Sequence, residues 1–271
     1  MIKKPRISVI VATLGDRVME LKRMMATLEN QTYPHCEVIL VLQNEQDQWS
    51  EVFADCGVLL KVIKIDERGL SKARNIGLEH ATGEIVTFGD DDCWYEKTTF
   101  QQVVDSYQTG KDVISLNLYD PNQQKFGRLQ KIKTSRYLTK RELMSRSSIE
   151  IFVRRACLEG DDFHDSIRFD EAFGLGATYI SGEENIFLTD LLKRSYRTYF
   201  HPDVLVYHAV QPRTTRLTKA QVLSKGPLFK RMYHAPIAFL LVTLFYFKKK
   251  QKKLLLEVLK ETWTYQPGGE Q

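Results

Sequence analysis

The chain has 271 residues, of which 43% are hydrophobic and 27% charged, and its formal net charge is +5. These values are ordinary for a globular protein and argue against a low-complexity or disordered chain. The four cysteines (Cys36, Cys56, Cys93 and Cys157) form no C-x-x-C pair, which argues against a zinc cluster and favours a reducing compartment. The N-terminus shows no secretory signal pattern, so we expect a cytoplasmic protein.

Charge is distributed unevenly along the chain. Residues 211–260 contain twelve Lys/Arg and one acid, a net charge of +11. The remainder contains 27 basic and 33 acidic residues, a net charge of −6. An acidic body with a basic C-terminal segment presents two surfaces that suit different partners.

The first part of the chain alternates between strand-like and helix-like segments. Apolar runs predict strands at 6–12, 37–42, 58–63 and 84–88. Helical spacing of apolar residues predicts helices at 17–30 and 70–80. Such alternation predicts an α/β fold with a mostly parallel sheet and helices on both faces. Ligands of these sheets bind beyond the carboxyl ends of the strands.

The middle of the chain is less regular. We predict a strand at 113–118, edge strands at 126–133 and 149–153, and short strands at 197–200 and 204–207. A helix is predicted to open at Gly182. The patterning divides the chain into an α/β domain at 1–210, with halves at about 1–110 and 111–210, and a C-terminal helical segment at 211–271 that is both basic and apolar.

Three consecutive carboxylates, Asp90, Asp91 and Asp92, follow the fourth predicted strand. Three acids side by side repel one another, and a divalent cation removes that repulsion. Mg²⁺ and Mn²⁺ prefer such hard oxygen ligands together with substrate phosphates. The alternative is a solvated turn in which an aspartate caps the next helix.

Four segments, taken together, resemble a family 2 glycosyltransferase of the nucleotide-sugar-dependent GT-A fold. The resemblance covers residues 6–210 and implies a Rossmann-like GT-A domain, with a nucleotide-sugar half at 1–110 and an acceptor half at 111–210. The matching segments are Ile7-Ser8-Val9-Ile10-Val11-Ala12-Thr13, Gly69-Leu70-Ser71-Lys72-Ala73-Arg74-Asn75-Ile76-Gly77, Phe88-Gly89-Asp90-Asp91-Asp92 and Gly182-Glu183-Glu184.

This resemblance implies a metal site at the acidic triplet. Asp92 is implied as the more direct ligand of Mn²⁺ or Mg²⁺, and Asp90 as a ligand that also lies near the ribose or sugar. Asp91 is expected to polarise its neighbours from within the donor site. His208 follows an apolar strand and is either a metal ligand or a strand-end histidine bound by backbone.

The resemblance also implies donor contacts. Thr13 lies in the segment that resembles the nucleotide loop. Arg74 and Asn75 are expected to lean over the nucleotide, where an arginine binds a phosphate or holds a metal-site carboxylate. Gln43 stands where relatives commonly have an aspartate. Its side-chain amide can both donate and accept hydrogen bonds, so it could still bind the edge of a uracil or thymine base. Further along, Arg213 and Arg216 are weaker candidates for the diphosphate.

Two adjacent acids are candidates for the catalytic base. An acceptor hydroxyl needs a base within hydrogen-bond reach, and by resemblance Glu184 is the first candidate and Glu183 the second. Relatives usually have Asp at the second position. The alternative is that both acids only stabilise the helix N-terminus. The resemblance implies a single displacement with inversion at the anomeric carbon.

The C-terminal segment contains an apolar run from Ala235 to Phe247, followed by five lysines within 248–253. A spanning helix needs about 20 apolar residues, so this run is too short to cross a bilayer unaided. We predict peripheral attachment to the inner face of the cell membrane. The alternative is a helix buried against the catalytic domain or a second copy. We expect no nucleic-acid partner, because the basic residues border an apolar run and not a stacking platform.

The leading prediction is a metal-dependent inverting glycosyltransferase of surface polysaccharide biosynthesis. A UDP-sugar is the first expected donor, and a glycan or lipid-linked molecule the acceptor. One alternative is a nucleotidyltransferase, but residues 12–17 lack its glycine-rich phosphate loop. The other is a non-catalytic nucleotide-sugar-binding membrane scaffold, indicated only by Glu184 and Gln43 standing where relatives have Asp.

Overall fold

The computed structural model describes residues 4–43, 53, 56–127, 132–160, 166–209, 218–248 and 252–267. The strands in this part of the chain are β1 (Ile7–Thr13), β2 (Cys36–Leu42), β3 (Leu59–Lys64), β4 (Ile85–Asp90), β5 (Cys93–Tyr95), β6 (Val113–Asp120), β7 (Lys125–Phe126), β8 (Arg136–Tyr137), β9 (Ile151–Arg154) and β10 (Thr198–His208).

The α-helices of the described residues fall into two groups, one interleaved with the strands and one at the C-terminus. They are α1 (Val18–Glu29), α2 (Leu70–Glu79), α3 (Thr99–Gln108), α4 (Lys140–Leu143), α5 (Glu183–Lys193), α6 (Lys219–Leu223), α7 (Lys225–Met232), α8 (Ala235–Lys248) and α9 (Leu255–Thr264).

All the strands belong to one sheet in the order β3-β2-β1-β4-β9-β6-β10-β5, with β7 beside β6 and β8 beside β10. The first four run parallel, as do β6 and β10. β1 and β2 are buried along their whole length, as apolar strands between two helical layers must be. The predicted α/β sheet, with its main strands parallel, is confirmed.

Two hydrophobic clusters cover the two faces of the sheet. One face packs against α1 and α3, through residues such as Leu21, Met24 and Phe100. The other packs against α2 and α5, through residues such as Ala73 and Phe187. The expected helices on both faces are therefore present, and the carboxyl ends of β1 and β4 are left open at one edge of the core.

Two details of the middle region differ from the sequence prediction. The segment expected as an edge strand at 149–153 is β9, which lies inside the sheet and pairs antiparallel with both β4 and β6. The two short strands expected at 197–200 and 204–207 are one strand, β10, whose register shifts between Phe200 and Val204. A bulge of this kind bends a strand without ending its pairing. Part of the other expected edge strand, 126–133, lies outside the described residues.

The C-terminal helices form a small bundle against α5 and the loop that precedes it. Leu228 and Met232 of α7, together with Tyr265, pack against Phe173, Tyr179 and Ile186. Within the bundle, Tyr246 is fully buried and donates a hydrogen bond to the Val222 carbonyl at 2.8 Å. Across the described ranges, no helix combines the length and the apolar character needed to cross a bilayer.

Candidate active site

The acidic triplet lies at the carboxyl end of β4, beside the end of β1. Ala12 pairs with Asp90 across these parallel strands, which brings the following Thr13 beside Asp91. The Thr13 hydroxyl donates to Asp91 Oδ2 at 2.6 Å. Two segments far apart in sequence thus meet at the sheet edge where α/β proteins bind their ligands.

Two arginines pair with the carboxylates of the triplet, Arg74 with Asp90 and Arg17 with both Asp91 and Asp92. Arg74 Nη2 lies 2.9 Å from Asp90 Oδ1. Arg17 Nη1 lies 3.2 Å from Asp91 Oδ1 and 2.5 Å from Asp92 Oδ2. These separate pairings explain how three consecutive acids remain stable at the end of a largely buried strand.

The pKa values of the two later aspartates are pushed in opposite directions. Burial raises the pKa of Asp91, against the opposing effects of the Thr13 hydrogen bond and the Arg17 charge. Burial also acts to raise the pKa of Asp92, but the hydrogen bond and charge of His208, aided by Arg17, outweigh burial and lower it. Asp92 is therefore the more strongly ionised of the two.

Asp90, Asp92 and His208 each turn one potential ligand atom towards a common point, with these atoms within 4.8 Å of one another. His208 Nε2 lies 3.0 Å from Asp92 Oδ1. Burial acts to lower the pKa of His208, but Asp92 outweighs it and raises the pKa. Two carboxylates and one imidazole form a donor set that suits Mn²⁺ or Mg²⁺ with room for phosphate oxygens. The residues fit the expected metal.

Arg74 connects this cluster to the start of α5. Its side chain is 1% exposed, and its Nη1 lies 4.0 Å from Glu183 Oε1. Arg74 is paired with Asp90 of the acidic triplet, and its expected role at the donor site stays a prediction. Among the described residues, its Nε and Nη1 atoms have no hydrogen-bond acceptor, so the guanidinium retains donor capacity next to the site.

Glu183 and Glu184 begin α5 but occupy different environments. The Glu183 side chain is 7% exposed and turns towards Arg74. Glu184 lines the cavity that also contains Asp90 and His208. Burial, and then the negative charge of Glu183, raise the pKa of Glu184 to about 8. A carboxyl group with such a pKa, in a cleft beside a metal-type cluster, has the properties of an acid–base group.

This cavity has a volume of about 850 Å³ and spans both halves of the molecule. Its lining includes Asp90 and His208 of the acidic cluster, together with Ser181, Glu184 and Lys225. The volume is within the range of cavities that bury a small ligand. Lys225 comes from α7, so the C-terminal segment contributes directly to the wall.

The remaining expected donor residues have structural partners of their own. The Gln43 side-chain oxygen accepts a hydrogen bond from the Gly69 backbone at 2.7 Å. Asn75 donates to the Phe169 carbonyl and accepts from the Phe169 backbone N–H, both at 2.9 Å. Asn75 therefore ties α2 to the loop that leads towards Glu183. Donor contacts by Gln43 and Asn75 stay predictions, and Arg213 and Arg216 lie outside the described residues.

Sequence reasoning did not assign three residues that the structure places at the site: Arg17, Ser181 and Lys225. Arg17 lies in the loop that also carries Thr13, and that proximity was the available signal. Ser181 directly precedes the Gly182-Glu183-Glu184 motif. Nothing in the sequence around Lys225 predicts that α7 reaches the cavity.

This geometry combines an α/β sheet, an acidic cluster at a strand end and a buried carboxyl in the same cavity. Residues 8–160 match the family model described as "Glycosyl transferase family 2". The chain belongs to this family of glycosyltransferases, and the predicted resemblance is confirmed.

A curated relative is similar over part of its length. The glucosyl-dolichyl phosphate glucuronosyltransferase of Haloferax volcanii is 27% identical over 115 residues, which is 41% of this chain and 37% of that protein. The chain therefore aligns with about a third of this relative.

Solved structures share the fold at low sequence identity. TarS of S. aureus in complex with UDP-GlcNAc has a TM-score of 0.66 and 20% identity, covering 83% of this chain and 66% of that one. The mannosyltransferase PcManGT of Pyrobaculum calidifontis, in complex with GDP-Man and Mn²⁺, has a TM-score of 0.60 and 19% identity, covering 87% and 65%. The GT-A fold expected from the sequence is confirmed by these similarities.

Proposed function

We propose that this protein transfers a sugar, with inversion, from a nucleoside-diphosphate sugar to a glycan or lipid-linked acceptor. A UDP-sugar is the first donor to test. The proposed setting is the synthesis of a surface polysaccharide, such as a capsule, O-antigen or exopolysaccharide, at the cytoplasmic face of the cell membrane. The observation that carries the proposal is one cavity lined by both the Asp90–His208 side of the metal-type cluster and Glu184.

In this proposal Asp90, Asp92 and His208 hold a divalent cation, with Arg74 keeping Asp90 in place. Such a cation neutralises the diphosphate and stabilises the negative charge on the leaving group. Arg17 lies beside the carboxylates of Asp91 and Asp92 and is partly exposed. It is therefore placed to donate hydrogen bonds to diphosphate oxygens as well. Asp91 accepts a hydrogen bond from the Thr13 hydroxyl, and this contact holds the acidic triplet against the end of β1.

Glu184 is the proposed general base. It removes the proton from the acceptor hydroxyl while that oxygen attacks the anomeric carbon from the face opposite the leaving diphosphate, which inverts the configuration. Its raised pKa near 8 matches a base that works close to neutral pH. Glu183 is proposed to orient Arg74, since its carboxylate turns towards that guanidinium.

The names of similar proteins support the choice of substrates. One solved relative is in complex with UDP-GlcNAc and another with GDP-Man and Mn²⁺. The Haloferax relative is named for a dolichyl phosphate-linked acceptor. These names favour a nucleotide-sugar donor, a divalent metal and a lipid-linked acceptor for this chain, whose sequence identity to each is below 30%.

A panel of nucleotide sugars measured by thermal shift tests the donor proposal. Each sugar is added with Mn²⁺, with Mg²⁺ and with EDTA. A ligand at about 100 times its dissociation constant stabilises the folded state by about 2.7 kcal/mol. We expect one UDP-sugar to raise the melting temperature only when a metal is present. An unchanged melting temperature across the whole panel would contradict the proposal.

A further inference from the structure

Helix α8 has an apolar side that the described part of the protein leaves exposed. Ile237, Leu240 and Leu244 are 47%, 58% and 57% exposed and lie on one face at helical spacing. We call these three residues the α8 apolar face. Phe247 at the end of α8, at 53%, and Trp263 of α9, at 75%, are also exposed. Monomeric soluble proteins seldom expose contiguous large apolar patches without a function.

The opposite side of α8 already has its contacts. Ala238, Val242 and Tyr246 are fully buried, and the last two cluster with Val222 and Val258. The helix is thus fixed to the bundle in one orientation. A helix that is apolar on all sides is normally covered on all sides, and here one side is left for a partner.

The charges around α8 select the partner. Lys248 ends the helix, Lys253 follows shortly after, and both are exposed. The segment that contains α8 carries a net charge of +11. A second copy docked face to face would bring two such segments together and be repelled, whereas a negatively charged surface attracts them.

We propose that the α8 apolar face lies in the headgroup region of an anionic lipid bilayer, with Lys248 and Lys253 at the lipid phosphates. The helix of 14 residues is about 21 Å long, which suits a helix lying in the membrane plane. This inference gives the membrane attachment within the proposed function a specific surface, and it needs no assumption about the donor.

The docked orientation also bears on the acceptor. Helix α7 packs between α8 and α5, and Leu228 of α7 lies against Gly182 at the start of α5. Lys225 of the same helix lines the cavity. One short, packed helix therefore links the lipid-facing surface to the wall opposite the metal-type cluster, which is where a lipid-linked acceptor has to enter.

Vesicle co-sedimentation of the full chain tests the surface. We expect binding to vesicles of phosphatidylglycerol and phosphatidylcholine, weak binding to phosphatidylcholine alone, and weaker binding at high salt. The double variant Leu240→Ser/Leu244→Ser should lower the partition constant by at least about tenfold. Met19→Ser is the matched control, because Met19 is 73% exposed on α1, away from this face.

A charge variant tests the lysines separately. Lys248→Gln/Lys253→Gln should lower the partition constant by about fivefold per lysine, and Lys22→Gln on α1 should leave it unchanged. Sedimentation velocity is run on the same samples. The proposal is overturned if the wild type does not bind anionic vesicles, if Met19→Ser weakens binding as much as the double variant, or if the double variant dissociates a dimer. Nucleotide-sugar binding is measured independently, so failure of the donor proposal gives a different result.

Discussion

Glu184 and Glu183 adjoin in sequence but differ in what surrounds their carboxylates. Glu184 faces the cavity, and Glu183 faces the buried Arg74. The sequence alone placed both at a helix N-terminus and ranked them only by resemblance. The difference in their surroundings comes from the packing of α5 on α2, which no local pattern encodes.

We expect Glu184→Gln to keep donor binding and lose transfer. The amide is nearly isosteric but cannot accept the acceptor proton, and removing a general base typically costs 10²–10⁴-fold in rate. Nucleotide-sugar affinity and initial rates measure the two effects. Glu183→Gln is the matched comparison and should leave a larger residual rate. If Glu183→Gln alone gives loss of transfer with intact donor binding, the base is misassigned.

The raised pKa of Glu184 also predicts a pH dependence of stability. Between an unfolded pKa of about 4.5 and a folded pKa of about 8, the folded state keeps a proton that the unfolded state has released. The contribution of Glu184 to the free energy of unfolding therefore falls as pH rises through this window. Glu184→Gln removes that loss, so the free energy of unfolding of the variant, relative to wild type, should increase from the low to the high end of this pH window.

Urea unfolding across this pH range measures the difference. Glu79→Gln, which changes an exposed glutamate on α2, should give a difference that does not change with pH. If the difference in the free energy of unfolding between Glu184→Gln and wild type is the same at low and high pH, the pKa of the Glu184 carboxyl is not raised in the folded protein.

At the scale of elements, the positions of strands that are apolar throughout were predicted well from the sequence. The positions of strands whose pairing depends on partners far along the chain were predicted less well. β1, β2 and β4 follow from continuous apolar runs that only a two-sided core can bury. β9 is only four residues long, and its place between β4 and β6 depends on long-range pairing. The bulge in β10 interrupts a run that reads as two strands.

The candidate site shows the same division. Asp90, Asp92 and His208 were identified from strand ends and resemblance, and the fold brings their ligand atoms together. Arg17 and Lys225 were missed because their proximity to the site depends on how a loop and a C-terminal helix fold back. The contact that joins α7 to α5 is equally invisible in sequence.

The contact between Gly182 and Leu228 predicts how a methyl group added at Gly182 would change the stability of the protein. Gly182 has a φ of +115°, and a Cβ there would lie 2.7 Å from Leu228 Cδ1. Gly182→Ala should therefore lower the free energy of unfolding by about 2–4 kcal/mol, from backbone strain and overpacking combined. Equilibrium denaturation measures this loss.

Gly110→Ala separates the two causes. Gly110 also has a positive φ, of +80°, but a Cβ there would have no atom within 4 Å among the described residues. It should lose only the strain component, about 1 kcal/mol. The double variant Gly182→Ala/Leu228→Ala should lose less than the sum of its single variants; an additive loss would show that Leu228 does not restrict this position.

At the scale of the whole molecule, the C-terminal helices pack against the part of the chain that contains α5. The sequence predicted a boundary at residue 210 from the change in charge and hydropathy, and that boundary stays a prediction. Tyr265 nevertheless packs against Phe173 and Tyr179, and Lys225 reaches the cavity. We propose that the basic segment serves membrane attachment and also completes the acceptor wall.

The central claim is that Asp90, Asp92 and His208 hold a divalent metal that binds the donor diphosphate. The most direct measurement is calorimetric titration of UDP into the full protein with and without Mn²⁺, for wild type, Asp92→Ala and the control Asp105→Ala, which removes an exposed carboxylate on α3. We predict Mn²⁺-dependent UDP binding that is weakened at least about tenfold in Asp92→Ala and unchanged in the control. Equal UDP affinity in wild type and Asp92→Ala, or UDP binding that does not depend on Mn²⁺, would contradict the account.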